Sequence, residues 1–156
     1  MAEIIRDAAD DIDSINKLTA SRETRSAEIP GSHTDLLDKK GFAHFSSLGP
    51  DGAPQSHPVW FDAADGQLLI STGTDRQKYH NIRRDPRVSI SILDPDDPYR
   101  YLEVRGNVVE IEPDPEKAFL DLLARKYLDK DTYPYEQRRG VQRVIIHIQP
   151  SHVVSG

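Results

Sequence analysis

The feature that most constrains this chain is a rhythm of short β-branched and aromatic runs cut by turn residues, which begins at Gly41. Phe42–Leu48 is followed by Gly49-Pro50-Asp51-Gly52, a hairpin turn signal, and then by a second run over Pro54–Phe61. Turn residues over Asp62–Gly66 precede Gln67–Thr72, and Arg87–Leu93 (RVSISIL) alternates with Val88, Ile90 and Ile92 on one face. Tyr99–Glu112 reads as a long strand bulged near Gly106, and Val141–Ile148 as a last strand ending before Pro150. Helices interrupt the series. Ser32-x-x-Asp35 resembles a helix start ahead of Leu36-Leu37, and Asp75–Arg84 is a short helix. Asp114-Pro115-Glu116 opens another, with Pro at its first position and Phe119, Leu122, Leu123 and Tyr127 on one face, running to about Leu128. Six strands without βαβ alternation predict an antiparallel β-barrel, mainly β with flanking helices.

Length and charge narrow the function classes. A chain of 156 residues is one domain's worth of sequence, and a formal net charge of −6 argues against a general nucleic-acid binder. The absence of cysteine excludes thiolate nucleophiles, disulfides and Cys-ligated metal. No apolar run is long enough to span a bilayer, and the N-terminus lacks the basic start and apolar stretch of a signal peptide, so the expectation is a cytoplasmic protein without membrane contact. Residues 1–31 are a polar extension, either a helix or an arm, and Pro30-Gly31 separates them from a domain over 32–156.

The segment Ser71–Pro86 (STGTDRQKYHNIRRDP) carries the clearest chemical signal. Arg76 and Lys78 stand in the first turn of the expected helix, where they oppose a macrodipole that already places positive charge there. An anion would resolve that conflict, using helix N–H groups, the hydroxyls of Ser71, Thr72 and Thr74, and both cations. A solvated, Arg-rich surface helix fits the same residues. Gln55-Ser56-His57-Pro58-Val59-Trp60 is a polar strand that could border such a site or be half-exposed for no further reason.

Other motifs are bland. The six histidines show no ligand spacing, so no metal site is expected and most read as surface or hydrogen-bonded strand residues. There is no G-x-S-x-G elbow, Walker A loop or G-x-G-x-x-G. Arg83, Arg84 and Arg87 read as salt-bridge partners of Asp85 and other carboxylates, Asp96-Asp97 as loop solubility, and the Tyr99/Tyr101 and Tyr133/Tyr135 pairs as core or interface.

Three stretches together resemble the pyridoxamine-phosphate-oxidase-like flavin and deazaflavin oxidoreductases, in particular their actinobacterial deazaflavin-dependent branch. They are Leu48–Phe61 with its D-G-x-P-Q-x-x-P-V-W-F, Lys78–Ser89 (KYHNIRRDPRVS) and Asp94–Gly106 (DPDDPYRYLEVRG), within a likeness over roughly 36–154. The resemblance implies a split β-barrel of the FMN-binding type, homodimeric, with two cofactor sites at the subunit interface. It implies that Pro54, Gln55, Ser56, His57, Pro58 and Val59 lie along a tricyclic ring, and that Ile70, Ser71 and Thr72 hold its edge and ribityl chain. Arg76 and Lys78 grip the phosphate, and Asn81 supports the turn. The partner chain closes the other face, with Tyr133 or the neighbourhood of Arg143 as its contribution.

The implied activity is coenzyme F-420-dependent hydride transfer between the reduced deazaflavin and a conjugated small organic acceptor. His57 or water is the candidate proton donor. FMN is the alternative cofactor, and a non-catalytic flavin, deazaflavin or haem binder the alternative class. The Arg-rich C-terminal segment of pyridoxamine-phosphate oxidase itself has no counterpart after Ser151-His152-Val153-Val154, which disfavours that enzyme's own reaction.

Overall fold

The computed structural model describes residues 26–156. The expected helix or arm over 1–31 therefore lies almost wholly outside the described residues. A 3-10 helix over Gly31–Leu37 leads into seven strands: β1 (Ala43–Leu48), β2 (Pro54–Val59), β3 (Asp62–Ala64), β4 (Gln67–Gly73), β5 (Arg87–Leu93), β6 (Tyr101–Pro113) and β7 (Arg143–Ser155). Two α-helices, α1 (Gln77–Arg84) and α2 (Ala118–Leu128), interrupt them. The strands pair antiparallel throughout in the order β2-β1-β5-β6-β7-β4-β3, the antiparallel arrangement that the rhythm of turns calls for and the split barrel that the resemblance implies. Inward residues of every long strand, among them Phe45, Ile70, Ile90, Val104 and Ile146, meet Tyr79 and Ile82 of α1 in one core.

The departures from expectation have local causes. A seventh strand forms because Asp62–Ala64, read as a turn, pairs with Gln67–Leu69 across a tight turn in which Asp65 and Gly66 both take positive φ. Pro115 is not the first helical residue. The buried carboxylate of Asp114 instead accepts from the N–H groups of Phe119 and Leu120 at 3.4 and 3.3 Å, so α2 begins three residues later, after Lys117 at φ 57°. Its buried face is Phe119, Leu120, Leu123 and Ala124, while Leu122 is exposed. Strand β7 continues through Pro150 to Ser155, because Pro150 lies opposite Gly106 at a register shift, where the ladder can spare an N–H. The bulge read at Gly106 is present, and a side chain there would run into the Gln149 carbonyl. Tyr99 is 88% and Tyr135 60% exposed, so neither is a core residue.

Asp94, near the β5–β6 turn, is buried and accepts from the Asp96 N–H, from Lys39 at 3.0 Å and from Arg100 at 3.0 Å, and Arg100 also grips Asp35 at 2.6 Å. This network clamps the 3-10 helix to the sheet. Asp96 pairs with Lys39 at 3.0 Å, so it does more than keep the loop soluble.

Candidate functional site

The site begins where β4 ends. Thr74 N–H donates to the Gln142 carbonyl at 3.0 Å and Arg76 N–H to the Gly73 carbonyl at 3.1 Å, which turns the chain sharply against the start of β7 and into α1. A side chain at Gly73 would meet Asp75 Oδ1 at 2.7 Å and Val141 Cγ1 at 2.8 Å, so both of those side chains would have to shift to admit one. Arg76 becomes the N-cap of α1 and Lys78 its second residue, with no carboxylate in the first turn and no side-chain cap. The first-turn N–H groups of a helix have no partner within it. Arg87 pairs with Asp85 at 2.7 Å as expected, which removes it from this locus.

Arg143, the first residue of β7, comes to the same place from 72 residues downstream and donates from Nη2 to Ser71 Oγ at 2.7 Å. Its Nε is buried with no hydrogen-bond partner among the described residues. The electrostatics record the crowding. Burial first, then Arg76 and Arg143, push the half-buried Lys78 ammonium below the usual lysine range. Burial, partly offset by Tyr133, and then Arg76 hold the Arg143 guanidinium below its own. Asp75 answers from one side, 4.0 Å from Arg76 and 3.5 Å from Arg138. Three cations converge here with two of them desolvated, and a bound oxyanion would satisfy them all.

Asn81 is fully buried. Its amide donates to Gln55 Oε1 at 2.7 Å and Ser47 Oγ at 3.0 Å, and accepts from Gln77 at 2.9 Å and Arg84 at 3.2 Å. With that amide committed inside the chain, Asn81 positions β2 against α1. Because side chains alternate across a strand, Gln55, His57 and Val59 share one side of β2, and that side spans roughly 13 Å from the Asn81 contact to its other end. There Pro58, Val59, Trp60 and Ser71 join Phe42, Leu120, Leu123, Tyr133 and Arg143 around a cavity of about 240 Å³. Trp60 stacks on Tyr127 at 5.1 Å and meets Tyr133 edge-on at 6.1 Å, which gives the cavity an aromatic wall.

The structure thus brings Pro58, Val59 and Ser71 to one cavity and sets Arg76 and Lys78 beside it, while Gln55 and His57 line the strand between. Thr72 is buried beside Ser71, Ile70 belongs to the core, and Pro54, Ser56, His57 and Pro58 are exposed on β2. Within the one chain, Tyr133 lines the same cavity as Ser71 and Arg143 bonds to it. The sequence reading missed Arg143 as a third cation of this cluster; the signal was an arginine directly ahead of the apolar run Val144-Ile145-Ile146.

A family model described as pyridoxamine 5'-phosphate oxidase matches residues 29–155. Among solved structures, an F-420 reductase shares 39% identity with a TM-score of 0.72, covering 81% of this chain and 98% of its own. A conserved hypothetical protein of Mycobacterium tuberculosis shares 26% identity at TM-score 0.64, covering 86% of this chain and 87% of its own. General stress protein 26 of Bacillus anthracis, 22% identical at TM-score 0.56 and covering 78% of this chain and 88% of its own, shares the fold. A search of the curated proteins finds no match. Since the family match spans nearly the whole described chain and the 39%-identical reductase aligns over almost its entire length, this chain belongs to the pyridoxamine 5'-phosphate oxidase family, in the branch that includes an F-420 reductase.

Proposed function

We propose that this protein is a coenzyme F-420-dependent oxidoreductase that passes hydride between the reduced deazaflavin and a planar, conjugated organic acceptor. The observation that carries the reading is the convergence of Arg76, Lys78 and Arg143 at the start of α1, with Arg143 Nε buried and without a hydrogen-bond partner among the described residues, beside an aromatic-walled cavity. The F-420 reductase among the similar structures supports the cofactor. Arg76, Lys78 and the N–H groups of the first turn would hold the phosphate. Ser71 and Arg143 would border the ribityl chain and ring edge, with Ile70 and Thr72 packed behind them, and the Pro54–Val59 strand would lie along the ring. When bound, F-420 supplies a hydride from the ring carbon that replaces N5 of a flavin. The chain's part is to orient the acceptor against that carbon and exclude water, a task suited to Phe42, Trp60 and Tyr133, with His57 or water supplying a proton.

The protein acts as a homodimer in this reading, because β2 is a sheet edge whose Ser56, His57 and Pro58 are exposed and a partner would cover them. Titration with F-420 and, separately, FMN tests the cofactor. Quenching of deazaflavin fluorescence at micromolar protein is expected, and saturation by FMN alone would replace F-420 with FMN. Turnover of reduced F-420 with a panel of quinones and enones separates an enzyme from a cofactor carrier.

A further inference from the structure

On the same face of β7 as Arg143, four residues further along, His147 stands against two carboxylates of β6. Its Nε2 lies 2.8 Å from Glu112 Oε2 and 3.9 Å from Glu110 Oε2, and the three donor atoms all fall within 4.8 Å of one another. The register makes this meeting. Val108 pairs with Ile148 and Glu110 with His147, so Val109 is an extra residue in β6. That bulge puts Glu110 and Glu112 in phase with His147, where an unbroken ladder would have set Val109 opposite the imidazole.

A cation between these groups would satisfy all three at once. Gln67 Oε1 lies 3.3 Å from Nδ1, where it would accept from an Nδ1–H and leave the Nε2 lone pair for a metal ion on the carboxylate side. Orientation of the remote nitrogen by a carbonyl is also how metal-binding histidines are held. Among the described residues no lysine or arginine pairs with Glu110 or Glu112, and both carboxylates turn to His147. With bonds of about 2.0–2.1 Å, tetrahedral ligands stand roughly 3.3 Å apart. The 2.8 and 3.9 Å separations bracket that value, and the carboxylates, 47% and 50% exposed, can make the adjustment while His147, 15% exposed, stays fixed.

We propose that Glu110, Glu112 and His147 form a zinc site that staples β6 to β7, with water as the fourth ligand. Imidazole with two carboxylates suits this ion better than calcium or magnesium, and the pair of negative charges balances it. The site lies roughly 13 Å along β7 from Arg143 and is independent of the cofactor reading.

The test is a zinc titration of the untagged full chain against a chromogenic chelator, with thermal unfolding alongside. One equivalent bound at micromolar affinity or better is expected, together with a zinc-dependent rise in Tm. His147→Ala and the surface substitution Glu112→Gln should each weaken binding at least tenfold, and Gln67→Ala by a smaller factor. Less than one equivalent retained at micromolar zinc, or equal affinity in the folded Glu112→Gln protein, overturns the site and leaves a His–Glu ion pair only.

Discussion

At the scale of single residues, the cradle holds a conflict between stability and binding. Lys78 is half-buried beside two other cations, so its charge costs stability until an anion arrives. Lys78→Ala is therefore expected to act with opposite signs in two measurements. Affinity for the phosphorylated cofactor falls by about 1.5–3 kcal/mol, the range for hydrogen bonds to charged groups, while the Tm of the ligand-free protein rises. Inorganic phosphate should raise the Tm of the unaltered protein and do so less in the variant; equal shifts would place the anion elsewhere. Gly73→Ala acts through geometry, since its Cβ would sit 2.7 Å from Asp75 Oδ1 and 2.8 Å from Val141 Cγ1. A loss of about 1–3 kcal/mol in denaturant titration is expected, with weakened cofactor binding because Asp75, next to Arg76, and Val141 must both give way.

At the scale of elements, α2 is fastened by its last turn. Tyr127 donates its hydroxyl to the Gly41 carbonyl at 2.7 Å and accepts from the Phe61 N–H at 3.2 Å, while Lys126 donates to the carbonyls of Leu37 and Phe61, each at 2.8 Å. Tyr127→Phe leaves that N–H and carbonyl without their partner and should cost about 1–3 kcal/mol in urea unfolding. Burial pushes the Tyr127 hydroxyl up to about 12, so the unfolded chain ionises first and this contribution fades as pH climbs from 10 to 12. These elements were legible in sequence to different degrees. Alternation of Val88, Ile90 and Ile92 fixed β5 to the residue, because a period of two leaves no choice of face. The start of α2 was not legible, since the cap is a buried carboxylate set back from the helix. The extension of β7 past Pro150 depends on a glycine 44 positions upstream in its partner strand, a relation that local pattern does not carry.

At the scale of the whole molecule, acid should act first through the clamp on the 3-10 helix. The Asp96 N–H, Lys39 and Arg100 hold Asp94 down to about 2, and Arg100 above all holds Asp35 at about 2. Both carboxylates thus stabilise the fold fully above pH ~4, the ordinary range, and lose that contribution as pH falls toward 2. Arg100→Met should move the acid-unfolding midpoint, followed by circular dichroism, to higher pH. The proposed anion site was half legible in the same way as the fold. Arg76 and Lys78 advertise themselves by sitting at a helix start, whereas Arg143 joins them only because β7 pairs with β4 in a register that sets Gly73 opposite it. That pairing has a consequence in time. Strand β7 lies between β6 and β4, so β4 waits for a neighbour made 72 residues after Ser71. At about 5–20 residues per second the ribosome needs roughly 4–14 s to supply it. During that interval the nascent chain exposes an open β4 edge and an incomplete cation cluster, so capture of the proposed cofactor would follow synthesis of the last strand rather than guide the strands that precede it.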